Sequence, residues 1–348
     1  MDKEKLLSQT HWLMLAEKRL EERWNDEEKV EKELNHLYRA YAKDTKTLLS
    51  DFYNQYAIDN HLKYSDVIKK LDNLSLQDYR ITMKRLVAKY QNSGNSELIG
   101  ALVALSNPSS LTRIEAFNNT LAGLMLEMEY EEVQILNQTL GEQYVESYYK
   151  SLYDVQHSFG VGNAFKPLDS ETIKTVITYP WSGASFSDRN WHNKQKLIKV
   201  LREEITAGLV RGDSHQKMAT AVAKRMDSSY KSALALVRTE TSRVISEATF
   251  NSYVKSGSLE QYVLIATLDN RTSTICQNLD KKHYYFHEKK EGINFPPFHT
   301  SCRTAISPYV DEKTISNMMR RARDPKTGQT YLVPASMSYA EWYEKYVK

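Results

Sequence analysis

The first glycine of this chain is Gly94 and the first proline is Pro108. Glycine and proline are the residues that most readily interrupt a helix, so a stretch this long without either confines the N-terminal part to extended helices. The scarcity continues beyond it, with 12 Gly and 8 Pro in 348 residues. Leu13, Leu20, Trp24, Val30, Leu34, Leu37, Tyr38, Tyr41, Leu48, Phe52 and Tyr56 recur at spacings near three, four and seven. That is the apolar stripe of an amphipathic helix. Glu21, Glu22, Glu27, Glu28, Glu31 and Lys32 make the opposite face charged, as a solvated face is. Residues 1–57 therefore read as one or two long helices.

The same reasoning carries along the chain. Ser75, with Asp78 in the first turn, predicts a helix start, and Asn92-Ser93-Gly94-Asn95 ends that helix. A further helix covers 96–105. After the Asn107-Pro108 turn, Ser110 starts a very long one over 111–158, with Ile114, Phe117, Leu121, Leu136, Tyr144 and Leu152 on its apolar face. Gly160, Gly162, Pro167, Pro180 and Gly183 make 161–190 an irregular connection, with a short helix opening at Ser170 and with Trp181 and Trp191 as aromatic anchors. From Trp191 the pattern is helical again. It is expected to stop at Gly208 and to resume as two helices over 215–226 and 228–256. Gln261-Tyr262-Val263-Leu264-Ile265-Ala266 predicts a strand. A helix over 312–323 and a last one opening at Ser338, with Glu341 at capping-box spacing, complete the reading. The expected fold is mainly α with a C-terminal α+β module and a small antiparallel sheet. The expected domains are a helical region 1–160, the connection 161–190 and an α+β domain 191–348.

Hydrophobic residues make up 41% of the chain, enough for real cores, and the net charge of +3 is too small to imply nucleic-acid binding by itself. No stretch is apolar over the roughly 18–20 residues a membrane helix needs, and Met1–Glu4 lacks a signal-peptide pattern. A protein made and folded in a cytoplasm, without a membrane partner, is expected. The 23 Tyr are read in two ways, as subunit-interface residues or as fillers of half-buried positions. No P-loop, Ser-His-Asp order, Rossmann glycine pattern or HExxH helix is present.

The C-terminal part holds a distinctive order of motifs. Arg238-Thr239-Glu240 lies late in a helical region, Asp269-Asn270-Arg271-Thr272-Ser273 leads to Cys276, and Pro296-Pro297-Phe298-His299-Thr300-Ser301-Cys302-Arg303 closes the run. This order resembles the phage Mu F-like family of head-morphogenesis proteins, minor capsid proteins of tailed phages and prophages. Trp181-Ser182-Gly183, Trp191, the turn at 208–212, Tyr339 and Trp342 are similar to its Gram-positive phage branch. The resemblance covers residues 180–345. It implies a minor head protein present in few copies, with the portal protein and other capsid components as partners. Binding to double-stranded DNA, an effect on its delivery, and passage from host cytoplasm to virion head are also implied. Two positions at which many members carry Cys are Ser273 and Thr304 here. Some members carry a toxin domain after this module. The present sequence stops soon after it, so a non-enzymatic chain is expected.

Several residues are candidates for chemistry. Arg238, Glu240, Asp269 and Arg271 are read as a buried ionic and hydrogen-bond network in which Arg pairs bidentately with carboxylate, and Pro297 and Arg303 as further residues of the structural motif; the catalytic alternative makes Glu240 a general acid or base. Cys276, His299 and Cys302, with His283 or His287 as a fourth ligand, are read as a possible zinc site, as two buried thiols in a proline-packed turn, or as a disulfide. Lys281, Lys282, Lys289, Lys290, Arg320, Arg321 and Arg323 are candidate phosphate contacts or an ordinary solvated surface. The alternatives to a head protein are a zinc-stabilised nucleic-acid-binding protein and an enzyme or toxin-related module.

Overall fold

Long helices dominate the chain, as the missing punctuation residues require. A computed structural model describes residues 9–57, 62–159, 167–309, 319–324, 327, 329–334 and 337–346. Helix α1 spans Gln9–Tyr56, α2 Tyr64–Val67, α3 Asn73–Tyr90, α4 Ser96–Ser106 and α5 Arg113–Phe159. Helix α6 (Ser170–Thr178), α7 (Phe186–Arg211) and α8 (His215–Ser256) follow. The chain then alternates: β1 (Gln261–Ile265), α9 (Thr274–Leu279), β2 (His283–Tyr285), β3 (Ala305–Pro308), β4 (Met319–Arg323), β5 (Thr330–Pro334) and α10 (Tyr339–Tyr346).

Most departures from the sequence expectation concern where helices start and stop. Asp72, not Ser75, caps α3, and its carboxylate accepts from the Ser75 amide at 2.8 Å. Thr112, not Ser110, opens α5: its hydroxyl accepts from the Glu115 amide while Glu115 accepts from the Thr112 amide at 2.7 Å, a reciprocal box. Gly208 does not end α7. The helix runs on to Arg211, and Gly212, with φ +70°, takes the left-handed position. The amides of Gly212 and Asp213 reach back to the carbonyls of Leu209 and Gly208, the two bonds of a Schellman motif. Gly208 serves packing: a Cβ there would lie 2.6 Å from the Met218 sulfur. The helices expected over 215–226 and 228–256 are one. Ser228 and Ser232 donate their hydroxyls to carbonyls four residues back, at 3.0 and 3.2 Å, and so do not compete as caps.

The chain divides into two compact units. One holds Met1–Val30, Asn137–Phe186 and Ala235–Lys348, and the other Glu31–Leu136 and Ser187–Leu234. The division falls within α1, α5 and α8 rather than at 160 and 190. Each of these helices contributes residues to both units.

The second unit is helical. Leu37, Tyr41, Leu49, Phe52, Phe117, Leu121, Met125, Leu201, Ile205 and Val222 share its core. Inside it Lys194 and Glu132, both 0% exposed, pair at 2.6 Å, and Tyr38 bonds to both. Glu129, also buried, has its carboxyl pushed up to about 7 by burial, against the pull of Lys194.

The first unit contains the sheet, ordered β2–β1–β3 and antiparallel throughout. Central strand β1 is covered on both faces, which explains its unalternating apolar run. Tyr262 and Leu264 pack with Trp12, Val155, Phe250, Phe295 and Ile306, while Val263 and Ile265 pack with Leu13. Each such side chain contributes roughly 1.5–3 kcal/mol by burial. The segment expected as a helix over 312–323 is strand β4 from Met319 onward; residues 310–318 lie outside the described residues. Met, Arg and Ala are good helix formers in isolation, but antiparallel pairing with the Tyr331–Val333 segment of β5 overrides that preference. Trp342 of α10 is fully buried against Leu268, Ala322 and Val333 and donates to the Tyr331 hydroxyl at 2.8 Å. Ser338 and Glu341 form the expected box.

Tyr38, Tyr41, Tyr53, Tyr79, Tyr90, Tyr144, Tyr148, Tyr253, Tyr262 and Tyr339 are core residues.

Candidate functional site

The motifs of the C-terminal part meet in the first unit, and α8 provides the backbone on which they assemble. Thr239 faces the 299–303 loop, and its hydroxyl accepts from the Ser301 amide at 2.9 Å. That amide is turned toward α8 because Ser301 adopts φ 57°, a left-handed conformation. One residue on, Glu240 is 1% exposed and both its oxygens are occupied. Trp181 donates to Oε1 at 3.0 Å and Arg243 donates to Oε2 at 2.9 Å. Arg243 then donates to the carbonyls of Val176 and Ile177, at 2.9 and 3.1 Å. A cation at the end of α6 satisfies carbonyls that the helix leaves open and complements its dipole. Glu240 thus holds a guanidinium that holds a helix. An acid with both oxygens engaged and no exposure has no reach to a substrate.

The single ionic network expected for Arg238, Glu240, Asp269 and Arg271 is resolved into two. Asp269 pairs most closely with Arg303, which donates to its two oxygens at 2.6 and 2.5 Å, a bidentate fork, while the Arg271 guanidinium stands further off at 3.8 Å. The Arg271 side chain is 74% exposed, and its closer contact is the backbone amide, which donates to Asp269 at 2.9 Å. Thr272 adds a hydroxyl bond at 3.1 Å. Burial pushes the Asp269 carboxyl up, but Arg303 and these bonds outweigh it and hold it below the usual range. Pro297 is buried behind a cis Pro296–Pro297 bond.

Two residues in this assembly carry no motif and were missed. Arg23 of α1, 4% exposed, donates to the Cys302 carbonyl at 3.1 Å and to Glu27 at 2.7 Å. Arg243 is the other. A Glu240–Arg243 spacing of three on a helix was the available signal. Nothing local marked Arg23, which is brought to its partner across 279 positions of sequence.

Cys276, His299 and Cys302 form a cluster whose donor atoms all lie within 4.8 Å of one another. The two sulfurs are 3.7 Å apart, and the Cys276 sulfur is 3.1 Å from His299 Nε2. Both thiols are buried and His299 is half-buried. Cys276 stands in the first turn of α9, where Ser273 accepts from its amide. The hydrogen bond between the sulfurs pushes Cys276 up and Cys302 down, and His299 is raised by its bond to Cys302. His283 and His287, the expected fourth partners, are elsewhere. His283 is exposed on β2 and stacks on Tyr309 at 3.9 Å, and His287 stacks on Tyr285.

The basic candidates separate in the same way. Lys289 is turned inward, 2.5 Å from Glu247 and over the rings of Phe250 and Phe295 at 4.4 and 4.3 Å. Burial, and then the same Glu247, pushes the carboxyl of Glu291 up to about 8. Arg323 lies over the Trp24 ring at 4.8 Å. Lys282 and Lys290 are exposed, and Lys281 is half-buried with φ 66°. Arg320 and Arg321 belong to β4, and their side chains lie outside the described residues.

Residues 199–307 match the family model described as phage Mu protein F like protein. That stretch is similar to the phage Mu F-like family. The matched stretch includes α8, the three-stranded sheet as far as Ser307, and both cysteines. Two relatives extend the likeness beyond that stretch. It is 22% identical to the minor head protein GP7 of Bacillus phage SPP1, over 90% of this chain and 91% of that one. It is 23% identical to a protein of Enterococcus faecalis named NAD(+)–arginine ADP-ribosyltransferase EFV, over 90% of this chain, and spans 60% of that protein's length. No solved structure matches. No helix among the described residues is long and apolar enough to cross a membrane.

Proposed function

We propose that this chain is a minor head protein of a tailed phage or prophage, acting by binding and not by catalysis. Its partners in this reading are the portal protein and other capsid components, and its place is the host cytoplasm during assembly and then the virion head. The observation that carries the reading is the match to the SPP1 minor head protein, which runs along nine-tenths of both chains. The geometry supports it. The acid of the Arg-Thr-Glu motif is sealed under Trp181 and Arg243, and Asp269 is clamped by Arg303. These charged residues act as struts that fix a helix, a loop and a sheet to one another.

Packaged DNA is a further proposed partner. Lys282 and Lys290 are exposed candidates for phosphate contacts, whereas Lys289 and Arg323 are occupied within the fold. DNA binding through lysines of this kind weakens steeply with salt.

The name of the Enterococcus relative favours a second reading, ADP-ribosyl transfer from NAD(+) to arginine. Mass spectrometry of purified virions and an NAD(+)-consumption assay on the purified chain separate the two. The head-protein reading expects the chain in DNA-filled heads and no turnover above buffer. Turnover by the chain together with its absence from virions overturns it.

A further inference from the structure

The geometry points to a zinc site in this chain, formed by Cys276, His299 and Cys302. Three soft or borderline donors from two separate segments converge within 4.8 Å, the set that zinc selects over magnesium or calcium. Their spacing suits a metal better than a bond between the sulfurs. Two thiolates on one tetrahedral zinc, each at about 2.3 Å, stand roughly 3.8 Å apart, and the sulfurs here are 3.7 Å apart. A disulfide would need them at about 2.05 Å, and would leave His299 Nε2, 3.1 Å from one sulfur, without a role.

The imidazole is already set for coordination. His299 Nδ1 lies 2.9 Å from the Thr300 carbonyl, to which it donates. Nε2 then carries the lone pair, and it is Nε2 that faces the sulfurs; an outer bond of this kind orients a metal-binding histidine. The loop is fixed as well. Arg23 holds the Cys302 carbonyl, Thr239 holds the Ser301 amide, and the Cys302 amide closes a turn onto the His299 carbonyl at 3.2 Å. Ala266 and Phe298 pack around the thiols and keep the site dry on that side. Two thiolates and a neutral imidazole balance a divalent ion. Binding would release the two thiol protons to solvent, and water entering past half-exposed His299, or the Ser273 or Thr304 hydroxyl that already acts on Cys276, completes four-coordination.

This inference stands on side-chain geometry and is independent of the head-protein reading. It is tested on the full chain, purified under reducing conditions without chelator. Elemental analysis is expected to give one zinc per chain. Cobalt(II) added to the stripped protein is expected to give the intense visible bands of a tetrahedral site with thiolate charge transfer. Zinc added to the stripped chain is expected to raise its Tm. His299→Ala should weaken zinc binding beyond the roughly 10–100-fold that losing an outer partner costs, and His299→Cys should restore it. Thr304→Cys, placing a third sulfur beside Cys276, should tighten it. Should the cysteine variants fail to fold, the cobalt spectrum of the unaltered chain decides. A weak octahedral cobalt spectrum, zinc-free protein with two titratable thiols, or a native mass two hydrogens lighter would each overturn the site.

Discussion

At the scale of single residues, the C-terminal motifs are made of pairs in which each member is buried by the other. Asp269 and Arg303 make the clearest case. Replacing Arg303 by Lys keeps the charge but loses the fork, and is expected to cost about 2–3 kcal/mol in denaturant unfolding. The pH dependence has a fixed sign. The Asp269 carboxyl is held below its ordinary value, so its contribution is complete above the unfolded value of about 3.9 and is lost as pH falls through the lower folded value. Acid titration of Asp269→Asn should show a correspondingly shallower loss of stability. Glu129 has the opposite sign. Its carboxyl is raised to about 7, so it favours folding at acid pH and progressively less as pH rises from about 4 toward 7. Glu129→Gln is expected to raise stability at pH 8 by about 1–2 kcal/mol and to change little at pH 5, read from paired melts. An unfolding curve for that variant that tracks the parent at both pH values would refute the assignment of an uncompensated buried charge.

At the scale of elements, the end of α7 is set by Gly212 and not by Gly208. Gly212→Ala places a Cβ at φ +70° and should cost about 1 kcal/mol. Gly208→Ala brings a Cβ within 2.6 Å of the sulfur and 2.9 Å of the Cγ of buried Met218, so its cost should be larger. Chemical denaturation of the two variants gives the ranking. Helices were legible in the sequence because Gly and Pro are missing where they would be needed to stop one. Their ends were less so: Ser110, Gly208 and a break between 226 and 228 were expected as boundaries, and the hydroxyls of Ser228 and Ser232 turned instead onto their own helix. The strand at 261–265 was legible from its β-forming residues, but β4 was not, because Met319-Arg-Arg-Ala-Arg323 is strand only when paired with β5. In the site, Cys276, His299 and Cys302 were visible from residue type. Arg23 was invisible, since nothing in a charged face of α1 marks a cation that turns inward, and His283 was misplaced because the register of β2 against Val263 sends it to Tyr309.

At the scale of the whole molecule, the N-terminal helix is not an appendage to the Mu F-like region. Residues 9–30 lie in the same unit as the sheet, and Trp12, Leu13 and Arg23 contribute to its core and to its 299–303 loop. A fragment starting at residue 199 therefore lacks part of its own interior, and is expected to show the broad, uncooperative melt of a loosened core when compared with the full chain. The account rests on this module being built to hold and not to catalyse. Its most direct measurement is co-expression of the tagged chain with the portal protein of the same phage or prophage, followed by size-exclusion chromatography. The account predicts one co-eluting complex, formed equally well by a Lys282→Ala/Lys290→Ala variant. Elution of the two proteins apart, at concentrations where each is folded, would contradict it.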